Sequence, residues 1–258
     1  MSYPIAELVG GIREAILDAA GRLVTAGVLP EGPLPAFTVT AINDRSLGDY
    51  SSNCAHVFAA EMKGDSVLMS EKLVKEICLG GIPVSRCTAK NGYINFAIDK
   101  SWYESTLRGI LNGSAGYMDV LTLMGGINRL PSREEADRSA FRISSMPERL
   151  EALLKSLSDY GLDCTQTDMN SADLTLLVTD EEHALIKHLA FFEELLHGEN
   201  AYPRLQSYCG RLSGLYDEFY AKCPVRNVGM ELMTARALLI TAVLKVMNRA
   251  VEMLGMTR

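Results

Sequence analysis

Leu215-Tyr-Asp-Glu-Phe-Tyr-Ala-Lys-Cys-Pro224 has the pattern of the last turns of a helix that ends at a proline. Proline has no backbone N–H and its ring clashes with the preceding turn, so the helix is expected to stop at Pro224. Tyr216 and Tyr220 are four residues apart and therefore lie one above the other on one side of this helix. Such rings either fill a core, which is the more frequent case on an apolar stripe, or receive unpaired nucleobases. Both functions are open at this point.

The sequence on both sides of this stretch predicts further helices. Apolar residues recur every three or four positions along four segments of the C-terminal half. Thr179 or Asp180 is expected to cap the second of these helices, with Glu181 and Glu182 in its first turn. The C-terminal part, residues 138–258, is therefore predicted to be an all-α helix bundle. The four segments are 142–160, 180–196, 205–219 and 232–253.

The N-terminal part mixes helical and strand patterns. Its strongest short-range signal is Asn91-Gly92 between two β-branched runs, which predicts a hairpin. Asp65 or Ser66 is expected to cap a helix. The order α-β-α-α-β-β-α predicts an α+β domain over residues 1–112, followed by a glycine-rich linker, 113–137, so that the chain is mostly α overall. The predicted elements are a helix over 4–26, a strand over 37–42, helices over 50–61 and 67–79, strands over 82–89 and 92–98, and a helix over 102–111.

The composition is that of a protein with a substantial core: 48% of the 258 residues are hydrophobic and 22% are charged. The formal net charge is −7, which is the wrong sign for a protein that holds nucleic acid by its overall charge, so RNA binding would need a local basic patch and stacking. No apolar run approaches the ~20 residues that cross a bilayer. The six Cys are far apart and form no Cys-x-x-Cys pair, which indicates reduced thiols. We therefore expect a cytoplasmic protein that does not contact a membrane.

No motif for catalysis, cofactor binding or metal binding is found. The sequence contains no Gly-x-Ser-x-Gly, no phosphate-binding loop and no Gly-x-Gly-x-x-Gly after a strand. His183 and His188 are five residues apart, so they face different sides of a helix and do not form a metal pair. The sequence thus predicts no catalytic residues, no cofactor and no metal.

Several separate motifs nevertheless carry a resemblance to a known family. Leu47-Gly-Asp-Tyr-Ser-Ser-Asn53 and Lys90-Asn-Gly-Tyr-Ile-Asn-Phe96 resemble a turn and a strand of the N-terminal domain of arginyl-tRNA synthetase. Ala172-Asp-Leu-Thr-Leu-Leu177, Glu182-His-Ala-Leu-Ile-Lys187 and Glu231-Leu-Met-Thr-Ala-Arg236 follow in the order found in its DALR anticodon-binding helix bundle. The resemblance covers residues 1–112 and 138–256.

The resemblance implies two tRNA-binding surfaces. In the family, the turn before Gly-Asp-Tyr contacts the tRNA elbow, and the matching residues here are Asp44, Leu47 and Asp49, with Leu47 in place of the usual Phe. The bundle contacts the anticodon loop through a basic and aromatic set. The residues at its positions here are Arg138, Arg142, Tyr216 and Tyr220, with Arg138 standing where the family has a Tyr.

The family's catalytic domain has no counterpart in the predicted organisation. It lies between the two matching parts, with His-x-Gly-His and Lys-Met-Ser-Lys signatures, but residues 113–140 are fewer than the ~30 of a single βαβ unit. His56, His183, His188 and His197 do not form a His-x-Gly-His. We therefore expect a non-catalytic protein that binds tRNA. The alternative is an interaction module that has lost RNA binding, acting as an accessory subunit of a tRNA-processing or translation complex or as a homodimer.

Overall fold

The computed structural model describes residues 4–42, 44, 46–113, 133–162, 171–195 and 201–255, without the side chains of 133–142, 193, 194, 201 and 202. The chain divides into two compact units after Trp102. The first unit contains a small sheet and the second is helical, so the predicted fold class, mostly α with an α+β N-terminal part, is confirmed. The domain boundaries at residues 112 and 138 stay a prediction.

The first unit combines a four-stranded antiparallel sheet with three helices. The sheet order is β1-β2-β4-β3. Its strands are β1 (Val39–Ala41), β2 (Tyr50–Ser52), β3 (Val84–Lys90) and β4 (Tyr93–Ile98). The helices are α1 (Ile5–Thr25), α2 (Cys54–Glu61) and α3 (Ser66–Glu76).

The predicted α1 is confirmed almost to the residue. Apolar positions at helical spacing put one face of α1 into the core, and this face is buried except at Val9, which is partly exposed. The buried stripe residues are Ile5, Leu8, Ile12, Ile16 and Leu23.

The β3–β4 hairpin is also confirmed, and its turn explains the Asn-Gly pair. Asn91 and Gly92 have φ values of 52° and 78°, the left-handed backbone that a tight hairpin turn of this type requires. A Cβ atom at Gly92 would lie 2.6 Å from the His56 ring, so the position needs glycine for space as well. Asp65 caps α3, since its carboxylate accepts a hydrogen bond from the Val67 N–H at 2.7 Å.

The predicted helix over 50–61 is wrong in its first three residues. Tyr50–Ser52 is strand β2, which pairs with β1 on one side and β4 on the other, and the helix begins only at Cys54. Three residues are too few to show a strand alternation, and pairing on both sides overrides local helical preference. The element order therefore contains one more strand than predicted.

The second unit is built from helices around an apolar core. Helix α4 begins in the first unit and continues into the second. Among the residues that the structure describes, five further bounded α-helices follow, together with a short 3₁₀ helix, Leu174–Leu176. The helices are α4 (Lys100–Asn112), α5 (Arg133–Ser158), α6 (Asp180–Ala190), α7 (Phe192–Leu195), α8 (Ala201–Lys222) and α9 (Met230–Met253).

Two helices differ from prediction at their ends. Helix α5 begins at Arg133, inside the segment predicted as a linker, and continues through Pro147. The rest of that segment, residues 114–132, lies outside the described residues. The predicted helix over 180–196 is divided in two, since α6 ends at Ala190 and α7 begins at Phe192. In the described part of the chain, no helix has both the length and the apolar character needed to cross a membrane.

Candidate nucleic-acid interface

The C-terminal turns of α8 place the two predicted tyrosines in different environments. Tyr216 is 4% exposed and Tyr220 is 53% exposed. Their ring centroids are 6.1 Å apart with planes 29° from each other, so the expected pair of neighbouring rings exists. Tyr216 also lies 6.2 Å from the Phe219 ring. Tyr216 is therefore a core residue whose ring lies next to that of Tyr220, and of the two only Tyr220 exposes its ring to solvent.

Burial also sets the chemistry of the Tyr216 hydroxyl. Desolvation raises the pKa of Tyr216 to about 12, with a smaller raising effect from Tyr220 and a lowering effect from Arg149. Tyr216 is thus a neutral phenol at any physiological pH. Its hydroxyl neither repels a phosphate nor supplies a charge.

A buried ion pair fixes the end of α8. The Arg236 guanidinium on α9 donates to the Pro224 carbonyl at 2.6 Å and to the Glu182 carboxylate at 2.7 Å. Glu182 also accepts the Thr179 N–H at 2.8 Å, which completes a capping box at the start of α6, with Thr179 as the cap. Glu182 is fully buried and Arg236 is 6% exposed. Because three elements meet in this network, the turn after Tyr220 has a defined position.

Sequence reasoning missed this pair. The sequence places Glu182 in the first turn of α6 and both residues in family motifs, but it does not pair them. The signal that could have found the pair is Arg236 itself, a lone charge within the apolar run Met233–Ile240 of α9. A charge at such a position is buried only with a partner.

The charges around Tyr220 are mixed rather than uniformly basic. Three cations near the C-terminal half of α8 each have a carboxylate partner, and exposed pairs of this kind contribute little to stability. The side chains of Arg138 and Arg142 lie outside the described residues; their backbone lies in α5, four residues apart on one side of the helix. The three pairs are Arg149–Asp217 at 3.3 Å, Lys222–Glu181 at 2.7 Å and Arg211–Glu218 at 3.8 Å.

The second predicted surface is the turn between β1 and β2. Asp44 is exposed, and its carboxylate accepts hydrogen bonds from the Ser46 N–H at 3.0 Å and the Ser46 hydroxyl at 2.7 Å. These two hydrogen bonds lower the pKa of Asp44, so the carboxylate stays charged. Leu47 is half-buried and its N–H donates to the Asp44 carbonyl. Asp44 and Leu47 are therefore neighbours in one tight turn.

Asp49, the third residue predicted for this surface, is turned into the sheet. It is 8% exposed, and its carboxylate accepts the Ile98 N–H at 2.7 Å while its own N–H donates to the Phe96 carbonyl. Gly48 precedes it with φ 138°, and a Cβ atom there would lie 2.6 Å from the Phe96 carbonyl oxygen. The Gly48–Asp49 pair thus holds the turn against β4. The geometry supports a structural role for Asp49.

His183 and His188, which the sequence predicts not to form a metal pair, are both packing residues. His183 stacks on Tyr103 with centroids 4.0 Å apart, and its Nε2 lies 2.9 Å from the Leu177 carbonyl. His188 stacks on Tyr208 at 4.2 Å, with Nε2 3.1 Å from the Tyr208 carbonyl. Within the described ranges, no three His, Cys, Asp or Glu side chains come together as a possible metal site.

Two family models match the chain, one for each region. Residues 10–98 match the arginyl tRNA synthetase N-terminal domain, and residues 142–258 match the DALR anticodon binding domain. The turn with Asp44 and Leu47 lies in the first segment, and both tyrosines of α8 lie in the second. The order of the two domains is the one predicted from the motifs.

Individual relatives match over shorter stretches. The arginine–tRNA ligase of Geotalea daltonii is 28% identical over 131 residues, which are 50% of this chain and 23% of that protein. The enzyme of the same name from Pseudomonas syringae pv. tomato is 36% identical over 90 residues, 33% of this chain and 15% of that protein. The matched region is thus less than a quarter of the length of either relative.

Proposed function

The chain is an arginyl-tRNA synthetase-like protein that carries the N-terminal and DALR anticodon-binding domains of that family, and on this premise we propose that it is a non-catalytic tRNA-binding protein of the cytoplasm. The observation that carries the proposal is the presence, in one chain and in the family's order, of its two tRNA-contacting domains. In the proposed complex the first unit binds the tRNA elbow and the second binds the anticodon loop.

At the anticodon loop, Tyr220 is the residue that we propose contacts a base. Its ring is half-exposed, and the buried Tyr216 ring beneath it limits its motion. A ring held in this way loses little conformational freedom when a base stacks on it. Arg138 and Arg142 would supply the phosphate contacts from α5.

At the elbow, Asp44 and Leu47 are proposed to contact the tRNA while Asp49 shapes the turn. Asp44 offers a charged acceptor that is already oriented by Ser46. Leu47 offers apolar contact but no aromatic stacking, since it replaces the usual Phe. This surface would therefore contribute positioning more than affinity.

We propose that the protein has no synthetase activity because the interval between its two domains is too short for a catalytic domain. Only residues 99–141 separate the matched segments, and the described part of that interval is occupied by the helices α4 and α5. A doubly wound nucleotide-binding sheet needs several βαβ units of ~30 residues each. Purified protein should therefore show no ATP–pyrophosphate exchange; clear turnover would contradict the proposal.

Binding of tRNA to the purified chain tests the proposal that the protein binds tRNA. We expect the wild type to bind unfractionated tRNA and Tyr220→Ala to bind about tenfold more weakly, because one stacked base contributes ~1–3 kcal/mol. Met230→Ala is the matched control, since Met230 is 55% exposed in the same unit and has no proposed contact. Equal affinity of the wild type and Tyr220→Ala would remove Tyr220 from the site.

A second function is favoured by the charge of the chain. A net charge of −7 and the carboxylate partners around α8 weaken attraction to phosphate. If the wild type binds no tRNA, the protein is better explained as an interaction module, either an accessory subunit or a homodimer. Its oligomeric state and its copurifying proteins would then be the next measurements.

A further inference from the structure

A second exposed ring lies at the end of α5. Tyr160 follows the last turn of this helix and is 54% exposed, as much as Tyr220. The Arg226 guanidinium, from the segment between α8 and α9, lies 5.8 Å from the centre of the Tyr160 ring. Arg226 also donates to the Ser156 hydroxyl at 2.5 Å. The cation is thus held over one face of the ring, by this contact and by the hydrogen bond to Ser156, and a base would stack on the other face.

Arg226 differs from three other exposed cations of this region, each of which has a carboxylate partner. Arg149, Arg211 and Lys222 each have a carboxylate within 4 Å. None of the ion pairs among the described residues involves Arg226. Among the described residues, its positive charge therefore has no carboxylate partner and is available to a phosphate.

The Tyr160–Arg226 pair and Tyr220 are carried by the same two segments, α5 with its end and α8 with the chain that follows it. Arg149 contacts Asp217, and Ser156 contacts Arg226 farther along both segments, so α5 and the chain leaving α8 run in the same direction. Tyr220 follows Asp217 by three residues and Tyr160 follows Arg149 by eleven. With a rise of 1.5 Å per residue, the two residues are about 12 Å apart along the direction of the helices.

This spacing suits a single strand of nucleic acid. Stacked nucleotides follow one another at about 3.4 Å per strand, so about three or four of them span this distance. An exposed ring with an unpaired guanidinium beside it is the combination that binds a base by its face and the adjoining backbone by its charge.

We propose that Tyr160 and Arg226 form a second binding position for an unpaired nucleobase, separate from Tyr220 and occupied by the same RNA strand. The base stacks on the Tyr160 ring, and Arg226 contacts the adjoining phosphate. The inference rests on the proposed function, since it assumes that the helical unit binds RNA. A ring face stacks on any base, so this position increases affinity and fixes where the RNA strand lies. It does not select a particular base.

Four variants test the position. Tyr160→Leu removes the ring and Tyr160→Phe keeps it; Arg226→Gln removes the charge and Arg226→Lys keeps it. The probe is an anticodon stem–loop RNA with the fluorescent base 2-aminopurine in its loop, and the same stem without a loop is the control RNA. Binding is followed by fluorescence quenching, because stacking on a ring quenches 2-aminopurine directly.

We expect Tyr160→Leu to bind the stem–loop about tenfold more weakly and with less quenching, whereas Tyr160→Phe should match the wild type. Arg226→Gln should also weaken binding and reduce the slope of log K against log salt by about 0.7, the value for one phosphate contact on a single strand. Arg226→Lys should retain that slope. None of these changes should alter affinity for the loop-free stem.

The outcomes separate this inference from the proposed function. If the wild type binds the stem–loop and Tyr220→Ala weakens it, but Tyr160→Leu and Arg226→Gln bind like the wild type, the second position is wrong while the proposed function stands. If the wild type does not bind the stem–loop at all, both are overturned. Thermal unfolding of each variant identifies any loss of binding that comes from loss of structure.

Discussion

Tyr216 and Tyr220 are one helical turn apart, but only Tyr220 is exposed to solvent. The 4% exposure of Tyr216 and the 53% exposure of Tyr220 mean that substitution should affect two different properties. Truncating a buried ring removes its transfer free energy and leaves a cavity, whereas truncating an exposed ring removes little that the fold needs. The first ring therefore serves stability and the second is free to serve binding.

At the residue scale, we predict that Tyr216→Ala lowers the free energy of unfolding by ~3–5 kcal/mol, the usual range for a buried aromatic side chain. Tyr220→Ala should change it by no more than ~0.5 kcal/mol. Urea denaturation followed by circular dichroism measures both values. Tyr216→Phe is the control, since it keeps the ring in the core, and equal destabilisation by the two alanine variants would contradict the assignment of roles.

At the scale of elements, a partly buried histidine, His188, joins α6 to α8. Burial lowers the pKa of His188 from 6.5 to about 4, against a raising effect from the Tyr208 carbonyl and with a smaller lowering effect from Arg211. The native state thus keeps His188 neutral in a range where the unfolded chain binds a proton. Because the unfolded state then holds more protons, stability is complete above about pH 6.5 and is lost as the pH falls towards 4.

We predict that His188→Gln reduces this loss. Glutamine does not titrate, and its amide can donate to the Tyr208 carbonyl that His188 Nε2 contacts in the wild type. The wild type should lose up to ~3 kcal/mol more than the variant between about pH 6.5 and pH 4, the linkage value of the shift. Urea denaturation across this range measures the difference. Parallel pH dependence in both proteins would show that His188 is not the titrating group.

The elements that sequence predicted well are those whose signals are local. Asn91-Gly92 specifies a turn by backbone geometry, and the stripe of α1 specifies a buried face by periodicity. Strand β2 could not be found in this way, since Tyr50–Ser52 is a strand only because β1 and β4 pair with it. The Arg236–Glu182 pair depends on α6 and α9 meeting, which no local pattern reports.

The candidate site was likewise predicted only where its signals are local. Motif matching identified Tyr220 and the Asp44 turn, but it could not tell that Tyr216 and Asp49 face inwards, because burial is a property of the packed elements. Tyr160 and Arg226 belong to no motif and are 66 residues apart, so only the folded chain brings them together. Their exposure and charge are what single them out.

At the scale of the whole molecule, the net charge of −7 limits how the protein can hold RNA. A binder that relies on phosphate contacts releases many counterions and loses affinity steeply with salt. Here most exposed cations of the described helical unit near Tyr220 already have carboxylate partners, so few remain for phosphates. Stacking, which salt screens little, should carry a larger share of the affinity.

We therefore predict a shallow salt dependence for tRNA binding. With about two to four phosphate contacts, the slope of log K against log salt should lie between about −1.5 and −3.5, since each contact contributes about −0.7 to −0.9. Fluorescence anisotropy over a series of salt concentrations measures this slope. A slope steeper than about −6 would mean at least six or seven phosphate contacts, more than Arg138, Arg142 and Arg226 can make, and would assign the affinity to charge rather than to stacking.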